Sequence, residues 1–287
     1  MRSNVKKIII SLFAILIATF MIITYVIFLA SKPSDLKFYV FDIGQGDAML
    51  IRTPSHHNIL IDGGPDNSVV YKLGEYLPFY DRTIDLMILS HPHTDHLAGL
   101  NEVLARYKVK HILTTGIFYK SAFYAAWLNS ILEKNIFMEI VTKSKKIFLG
   151  ETELNIILPN QNYINQEIKN LNNASIVIKL NFASTSIMLT GDYEDEESLV
   201  GVHDLNADIL KVGHHGSHNA NSFEFLSAVN PAYATISSGV DNKFGHPHLS
   251  TLNDLSSLEV KVFNTALAGD IIFSSDGEVI TYYLKNK

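Results

Sequence analysis

Three histidines and an aspartate stand within six positions of the stretch SHPHTDH, at His91, His93, Asp95 and His96, directly behind the largely apolar run IDLMIL. Imidazole nitrogen and carboxylate oxygen bind Zn²⁺ or Mn²⁺ at about 2.0–2.2 Å, and mixed His/Asp sets suit catalytic metal sites better than structural ones. Alternate residues of an extended segment face one side. His91 and His93 can therefore approach one ion, while Asp95 and His96, beyond a turn, face another. Histidines also gather at loops for local hydrogen bonding, but the H-x-H-x-D-H spacing favours a metal.

Two further clusters share this context, the end of an apolar run. SIMLTGDYE delivers Asp192 behind Gly191, and ADILKVGHHGSH delivers His214, His215 and His218 behind Gly213. A glycine before a ligand permits a tight bend. DYEDEE also reads as an acidic helix start with Asp192 as its cap, yet the metal-type residues elsewhere favour a ligand. ILIDGG places Asp62 before a glycine pair, and KFGHPH places His246 and His248 around Pro247. DIGQGDA, residues 42–48, lacks the lysine and the following helix of a phosphate-binding loop, so it reads as a tight strand connection with Asp47 near the site entrance. The aromatic stretch of residues 117–127 can stack on bases, although aromatics at helical spacing usually face a core.

These clusters need strands that end together. LKFYVFDI, AMLIRT and NILID are β-rich runs separated by GQGD and PSHH. A helix is expected over residues 67–77, a strand over IDLMILS and a helix from near Leu97. Further strands are expected near residues 153–158, 175–182, 186–190, 207–213, 232–237, 260–263 and 270–284, with helices near 194–203, 221–229 and 249–257. The fold class is α/β: two strand-rich halves, read as two packed sheets with helices outside.

The 287 residues suffice for a sizeable core, at 47% hydrophobic composition, and carry no cysteine. Residues 8–30 contain no Asp, Glu, Lys or Arg and follow Arg2, Lys6 and Lys7. A helix of that length reaches about 34 Å, enough to cross a hydrocarbon core of about 30 Å. Residues 1–30 are therefore read as a signal anchor, residues 31–35 as a linker and residues 36–287 as one domain outside the cell, since the basic flank stays cytoplasmic. A cleaved signal peptide, giving a secreted protein, is the alternative. Beyond the three basic residues at the start, 20 Lys and Arg remain of 23 against 29 Asp and Glu, a formal charge of −9. That balance argues against a stable nucleic-acid complex.

The motifs FDIGQGDAMLI, ILIDGG, SHPHTDHLAGL, NNASIVIKL, LTGD, LKVGHHGS and GHPH resemble the metallo-β-lactamase superfamily, an αββα fold, and within it the hydrolase domain of ComEC-type competence and DNA-internalisation proteins. The resemblance covers about residues 36–284. It lacks the many-helix channel of those proteins, so a role in DNA transport does not carry over. It implies two divalent ions, Zn²⁺ or Mn²⁺: His91 and His93 at the first, Asp95 and His96 at the second, Asp192 bridging, and either His214 or His215 completing the second. Asp62 would orient a ligating histidine. The superfamily has another histidine before the strand leading to the bridging aspartate; here NLNNASIV has none, so Asn172 or Asn173 would approach the first ion weakly. The implied activity is hydrolysis of a phosphodiester, DNA included as a transient substrate, by hydroxide from a water shared between the ions. Asp95 or Asp62 would orient that water, and His246 and His248 would lie at the rim, contacting phosphate or protonating the leaving group. Two alternatives are a hydrolase of small esters, lactams or phosphorylcholine-type diesters, and a non-catalytic surface binding module.

Overall fold

The computed structural model describes residues 2–30 and 35–285 except Asn165 and Glu167, with the side chains of residues 2–5, 8 and 26–30 outside the description. The chain falls into two units, Met1–Ser34 and Asp35–Lys287. The first is a helix of 29 residues, α1 (Arg2–Ala30). Its large apolar side chains stand exposed, Ile10 and Phe20 among them. The Thr19 and Thr24 hydroxyls donate to carbonyls one turn back, so neither leaves a polar group unpaired. Among the described residues no helix is long and apolar enough to cross a membrane. The run of described side chains, residues 9–25, is shorter than the span expected over 8–30, whose ends lie outside the description. The linker expected over 31–35 lies outside it too, apart from Asp35.

The second unit is built on two sheets. Strands β1 (Leu36–Val40), β2 (Met49–Arg52), β3 (Asn58–Ile61), β4 (Thr83–Ile88), β5 (Lys108–Thr114) and β6 (Phe137–Ile140) start the first. Strands β7 (Lys145–Leu149), β8 (Thr152–Leu158), β9 (Val177–Phe182), β10 (Thr185–Leu189), β11 (Ile209–Lys211), β12 (Tyr233–Ile236) and β13 (Lys261–Asn264) make the second. The chain then returns to the first sheet with β14 (Asp270–Ser275) and β15 (Ile280–Lys285). The orders are β15-β14-β1-β2-β3-β4-β5-β6 and β13-β12-β11-β10-β9-β8-β7. In each sheet an antiparallel part adjoins a parallel one: β3 to β6 run parallel in the first, β10 to β13 in the second.

Alternation along the strands builds three apolar layers. Phe38, Ile51, Ile59 and Ile88 of the first sheet meet Leu154, Ile178, Leu180 and Ile209 of the second between the sheets. On the outer face of the first sheet pack α2 (Ser68–Tyr76), α3 (Thr94–Arg106) and α4 (Ala122–Glu133); on the outer face of the second pack α5 (Phe223–Val229) and α6 (Leu249–Ser257). The result is the αββα order expected. Leu97, Leu100 and Leu104 are buried along one stripe of α3, worth about 1.5–3 kcal/mol each.

Several local readings change. Helix α3 begins at Thr94, not near Leu97, because His93 takes the extended conformation of a cap and Asp95 complements the amide dipoles of the first turn. Asp95 and His96 therefore stand on a helix rather than in a loop. The helix expected over 194–203 is a single 3₁₀ turn, Glu196–Leu199. Residues 270–284 are a hairpin, turned through the positive φ of Gly277. In the aromatic stretch Tyr124 and Trp127 face the core, while Tyr119 comes beside His93, ring centroids 5.7 Å apart.

Candidate metal centre

The clusters converge because their strands end on the same edge. Asp62 follows β3, His91 to His96 follow β4, Asp192 follows β10, and His214 and His215 follow β11. Carboxyl ends of parallel strands are the usual binding edge of α/β sheets. At their centre is one oxygen, Asp192 Oδ2. Four imidazole Nε2 atoms surround it: His96 at 3.3 Å, His215 at 3.7 Å, His91 at 3.8 Å and His214 at 3.9 Å. Two atoms each 2.1 Å from an ion at a tetrahedral angle lie about 3.4 Å apart, so this spacing is that of ligands to shared ions.

The partners of the remaining ring nitrogens are what a metal needs. His96 Nδ1 pairs with Asp62 Oδ2 at 2.9 Å, His215 Nδ1 donates to the Ser237 carbonyl at 3.0 Å, and His91 Nδ1 is 3.1 Å from Ser90 Oγ. Each contact directs Nε2 into the group. His96 Nε2, His215 Nε2 and Asp192 Oδ1 are buried without a hydrogen bond. Buried polar atoms are rarely left so unless something else takes them up.

Electrostatics point the same way. Burial disfavours the His96 imidazolium, yet Asp192, Asp62 and Asp95 together outweigh it and hold its pKa well above the ordinary value. His215 is likewise raised, to about 9, against burial, by Asp192 and Asp47. Asp192, which burial alone would push up, lies well below the carboxylate range because His96 and His215 face it. Crowded carboxylates thus draw positive charge onto the imidazoles, and divalent cations would satisfy the same field. His91, by contrast, is held well below its ordinary pKa by burial and by His96, which leaves a neutral ring suited to ligation.

The expected residues are gathered to different degrees. His91, His96 and Asp192 form one compact group; Asp95, His96 and His215 form a second. Between the adjacent histidines the structure therefore sets His215, not His214, beside Asp95, at 3.4 Å. His93 Nδ1 lies 3.0 Å from His91 Nε2, but His93 joins neither group. His246 stands at the rim, its ring 5.5 Å from that of His214 and 6.2 Å from that of His215. His248 is drawn off instead: its Nδ1 accepts the His218 backbone N–H at 3.1 Å. Asp62 is fully buried, and its two oxygens accept from the Ser90 N–H and Oγ and from His96. So engaged, it orients His96 and turns no oxygen toward an attacking water. Asn172 and Asn173 are both engaged with Glu194. Asn172 Nδ2 donates to Glu194 and Asn173 Oδ1 accepts the Glu194 N–H.

Asp47 is not at the entrance. It is fully buried beneath the group, 2.9 Å from Lys211 Nζ and 3.5 Å from His215 Nδ1, and Lys211 is buried as completely. The signal for this pair was a lysine inside the apolar run ADILKVG, at a strand position that must face the core. Glu194, whose Oε1 lies 3.0 Å from His214 Nδ1, carries no signal in the sequence.

Comparison with known proteins agrees with this geometry. A model of the Metallo-beta-lactamase superfamily matches residues 41–240. ComE operon protein 3 of Bacillus subtilis (strain 168) is 28% identical over 269 residues, 87% of this chain and 34% of that protein. Recombination protein 2 of Haemophilus influenzae is 30% identical over 250 residues, 84% of this chain and 29% of that protein. The chain thus spans about a third of the length of the curated relatives it matches. The metallo-beta-lactamase fold protein YhfI from Bacillus subtilis superposes with a TM-score of 0.51 at 15% identity, over 79% of this chain and 95% of that one. With its αββα layers, its His/Asp edge and this match, the chain belongs to the metallo-beta-lactamase superfamily of metal-dependent hydrolases, in the branch that resembles ComEC-type competence proteins.

Proposed function

We propose that this protein is a membrane-anchored phosphodiesterase or nuclease whose hydrolytic domain lies outside the cytoplasm. The observation that carries the reading is the ring of four Nε2 atoms around Asp192 Oδ2, with His96 Nε2, His215 Nε2 and Asp192 Oδ1 otherwise unpartnered. Asp95, His96, His215 and Asp192 would hold one divalent ion; His91 and His93, with Asp192, would hold another. Bound Zn²⁺ or Mn²⁺ supplies Lewis acidity and acidified water, and a pair of ions stabilises both attacking and leaving oxygens of an in-line displacement at phosphorus.

The chain's own groups do the rest. Asp62 keeps the His96 ring in one tautomer by accepting its Nδ1–H, and Ser237 does the same for His215. Asp95, one-third exposed and within 4.0 Å of His96 Nε2, would offer a carboxylate oxygen to orient the nucleophile. His246 at the rim is placed to contact a non-bridging phosphate oxygen. The relatives named as competence and recombination proteins favour a phosphodiester over an ester or lactam. The acidic balance of the domain suits transient contact with DNA rather than a stable complex. Helix α1, with Arg2, Lys6 and Lys7 ahead of its apolar run, would anchor the chain with that end in the cytoplasm.

The test uses the full-length chain purified in detergent, with DNA and a small phosphodiester as substrates, in Mn²⁺, Zn²⁺ or chelator. Metal-dependent cleavage that Asp192→Ala abolishes without changing the fold is the expected result. An active Asp192→Ala enzyme refutes the scheme, and turnover of esters or lactams without any diester moves the reading to a small-molecule hydrolase.

A further inference from the structure

The superfamily's additional histidine is missing from NLNNASIV, and the asparagines standing there hold a carboxylate. Glu194 accepts from Asn172 Nδ2 at 2.8 Å and from Asn170 Nδ2, and its backbone N–H donates to Asn173 Oδ1 at 3.0 Å. Glu194 Oε1 in turn lies 3.0 Å from His214 Nδ1. The contact is a close one without hydrogen-bond alignment, and it sets the carboxylate on the Nδ1 side of the ring, leaving Nε2 on the side of the group. That Nε2 points at Asp192 Oδ2, 3.9 Å away.

The backbone explains how both neighbours face one pocket. His214 (φ 45°, ψ 47°) and His215 (φ 55°, ψ 22°) are both left-handed, a conformation costing a non-glycine residue about 1–2 kcal/mol. In an extended segment adjacent side chains would point to opposite faces. The left-handed turn brings both rings to Asp192, their centroids 6.1 Å apart, one beside Asp95 and the other beside Glu194. Such strain persists only where the surroundings fix it, and it gathers at functional sites. His215 is held by Ser237, and His214 stands against Glu194, which three asparagines fix in place.

We infer that His214, set against Glu194, supplies to the first metal site the imidazole that the segment 170–174 lacks. The segment keeps its place in the site but acts at one remove, through the Asn–Glu194–His214 chain. Glu194 is thus a positioning residue. The inference rests on the reading of the centre as a two-ion site.

The experiment measures bound metal directly. The full-length chain is stripped with chelator, reloaded with Mn²⁺ or Co²⁺ and assayed for ions per chain, affinity by titration calorimetry, and the Co²⁺ visible spectrum, with circular dichroism as a check on folding. Wild type should hold two ions, and His214→Ala should hold one with the remaining affinity unchanged. Glu194→Gln, which keeps the shape of the side chain, should keep two but weaken one by about 10–100-fold. His215→Ala should lose the other ion, so the two single variants give different Co²⁺ spectra. A wild type that takes up fewer than two ions overturns the two-ion reading and this inference with it. A wild type with two ions beside a His214→Ala protein that also keeps two, at unchanged affinity, overturns the inference alone and places His214 against the substrate.

Discussion

Lys211→Met should be among the most destabilising single changes in the hydrolytic unit, though Lys211 touches neither solvent nor the candidate ions. Its Nζ lies 2.9 Å from Asp47 Oδ2 and donates to the Val212 carbonyl at 3.0 Å, and both side chains of the pair are fully buried. Burial alone would raise the Asp47 pKa, but Lys211 and then His215 outweigh it and hold the carboxyl well below the ordinary range. At an effective dielectric constant near 20, unit charges at this separation attract by about 6 kcal/mol, most of which offsets the desolvation of the two groups. The intact pair therefore contributes little net stability. Breaking it is another matter, because methionine leaves a buried carboxylate without its lysine and with only the shared imidazoles of His215 and His96 near it, and such losses run to about 3–5 kcal/mol. The assay is urea unfolding of the full-length chain in chelator, so that metal affinity does not enter. Asp47→Asn combined with Lys211→Met removes both charges, and the double variant should fall short of the summed single losses by about 2 kcal/mol or more. A Lys211→Met loss below about 1 kcal/mol, or strict additivity, would refute the argument that the pair is a buried, mutually dependent unit beneath the metal group.

Two further predictions rest on other contacts. A methyl group at Gly99 of α3 would meet the Gly63 carbonyl oxygen at 1.9 Å and the Asp66 carbonyl oxygen at 2.4 Å; Gly99→Ala should therefore cost about 1–3 kcal/mol or more and weaken metal binding by shifting Asp95 and His96, and wild-type values in both measurements would show that the helix need not approach so closely. Burial pushes Glu196 up to about 8 although the Asn221 N–H bonds its carboxyl, so the folded state keeps a proton that the unfolded chain releases from about pH 4.5, and stability falls as pH rises through this window, by on the order of 4–5 kcal/mol in all. Glu196→Gln should match wild type near pH 4.5 and exceed it progressively up to pH 8 in urea titrations; a difference independent of pH would show that Glu196 is not held protonated.

How much of this was legible in the sequence depends on whether the information was local. The spacing of His91, His93, Asp95 and His96 behind a buried run is a local pattern, and the structure gathers His91 and His96 with Asp192, and Asp95 and His96 with His215, whereas His93, read as the partner of His91 at one ion, joins neither group. The αββα layering was legible too, because long apolar strands separated by glycine-rich turns repeat through both halves. The strands β5 to β7 and helix α4 were not, since β6 and β7 are half-exposed edge elements with little apolar contrast. Alternation could not choose between His214 and His215, because a rule for extended chains fails where two consecutive residues are left-handed. Lys211 shows the limit most clearly. A lysine at a strand position facing the core requires a buried anion, so the sequence declared the need. The partner, Asp47, lies in the turn after the first strand, across the sandwich, and a turn aspartate reads as solvated unless the packing of two sheets is already known. Charged pairs of this kind are readable as a demand at one end and become readable at the other only through tertiary structure. A search for fully buried lysines in apolar strands would therefore find such centres from one side, with the carboxylate and the histidine it supports supplied by the fold.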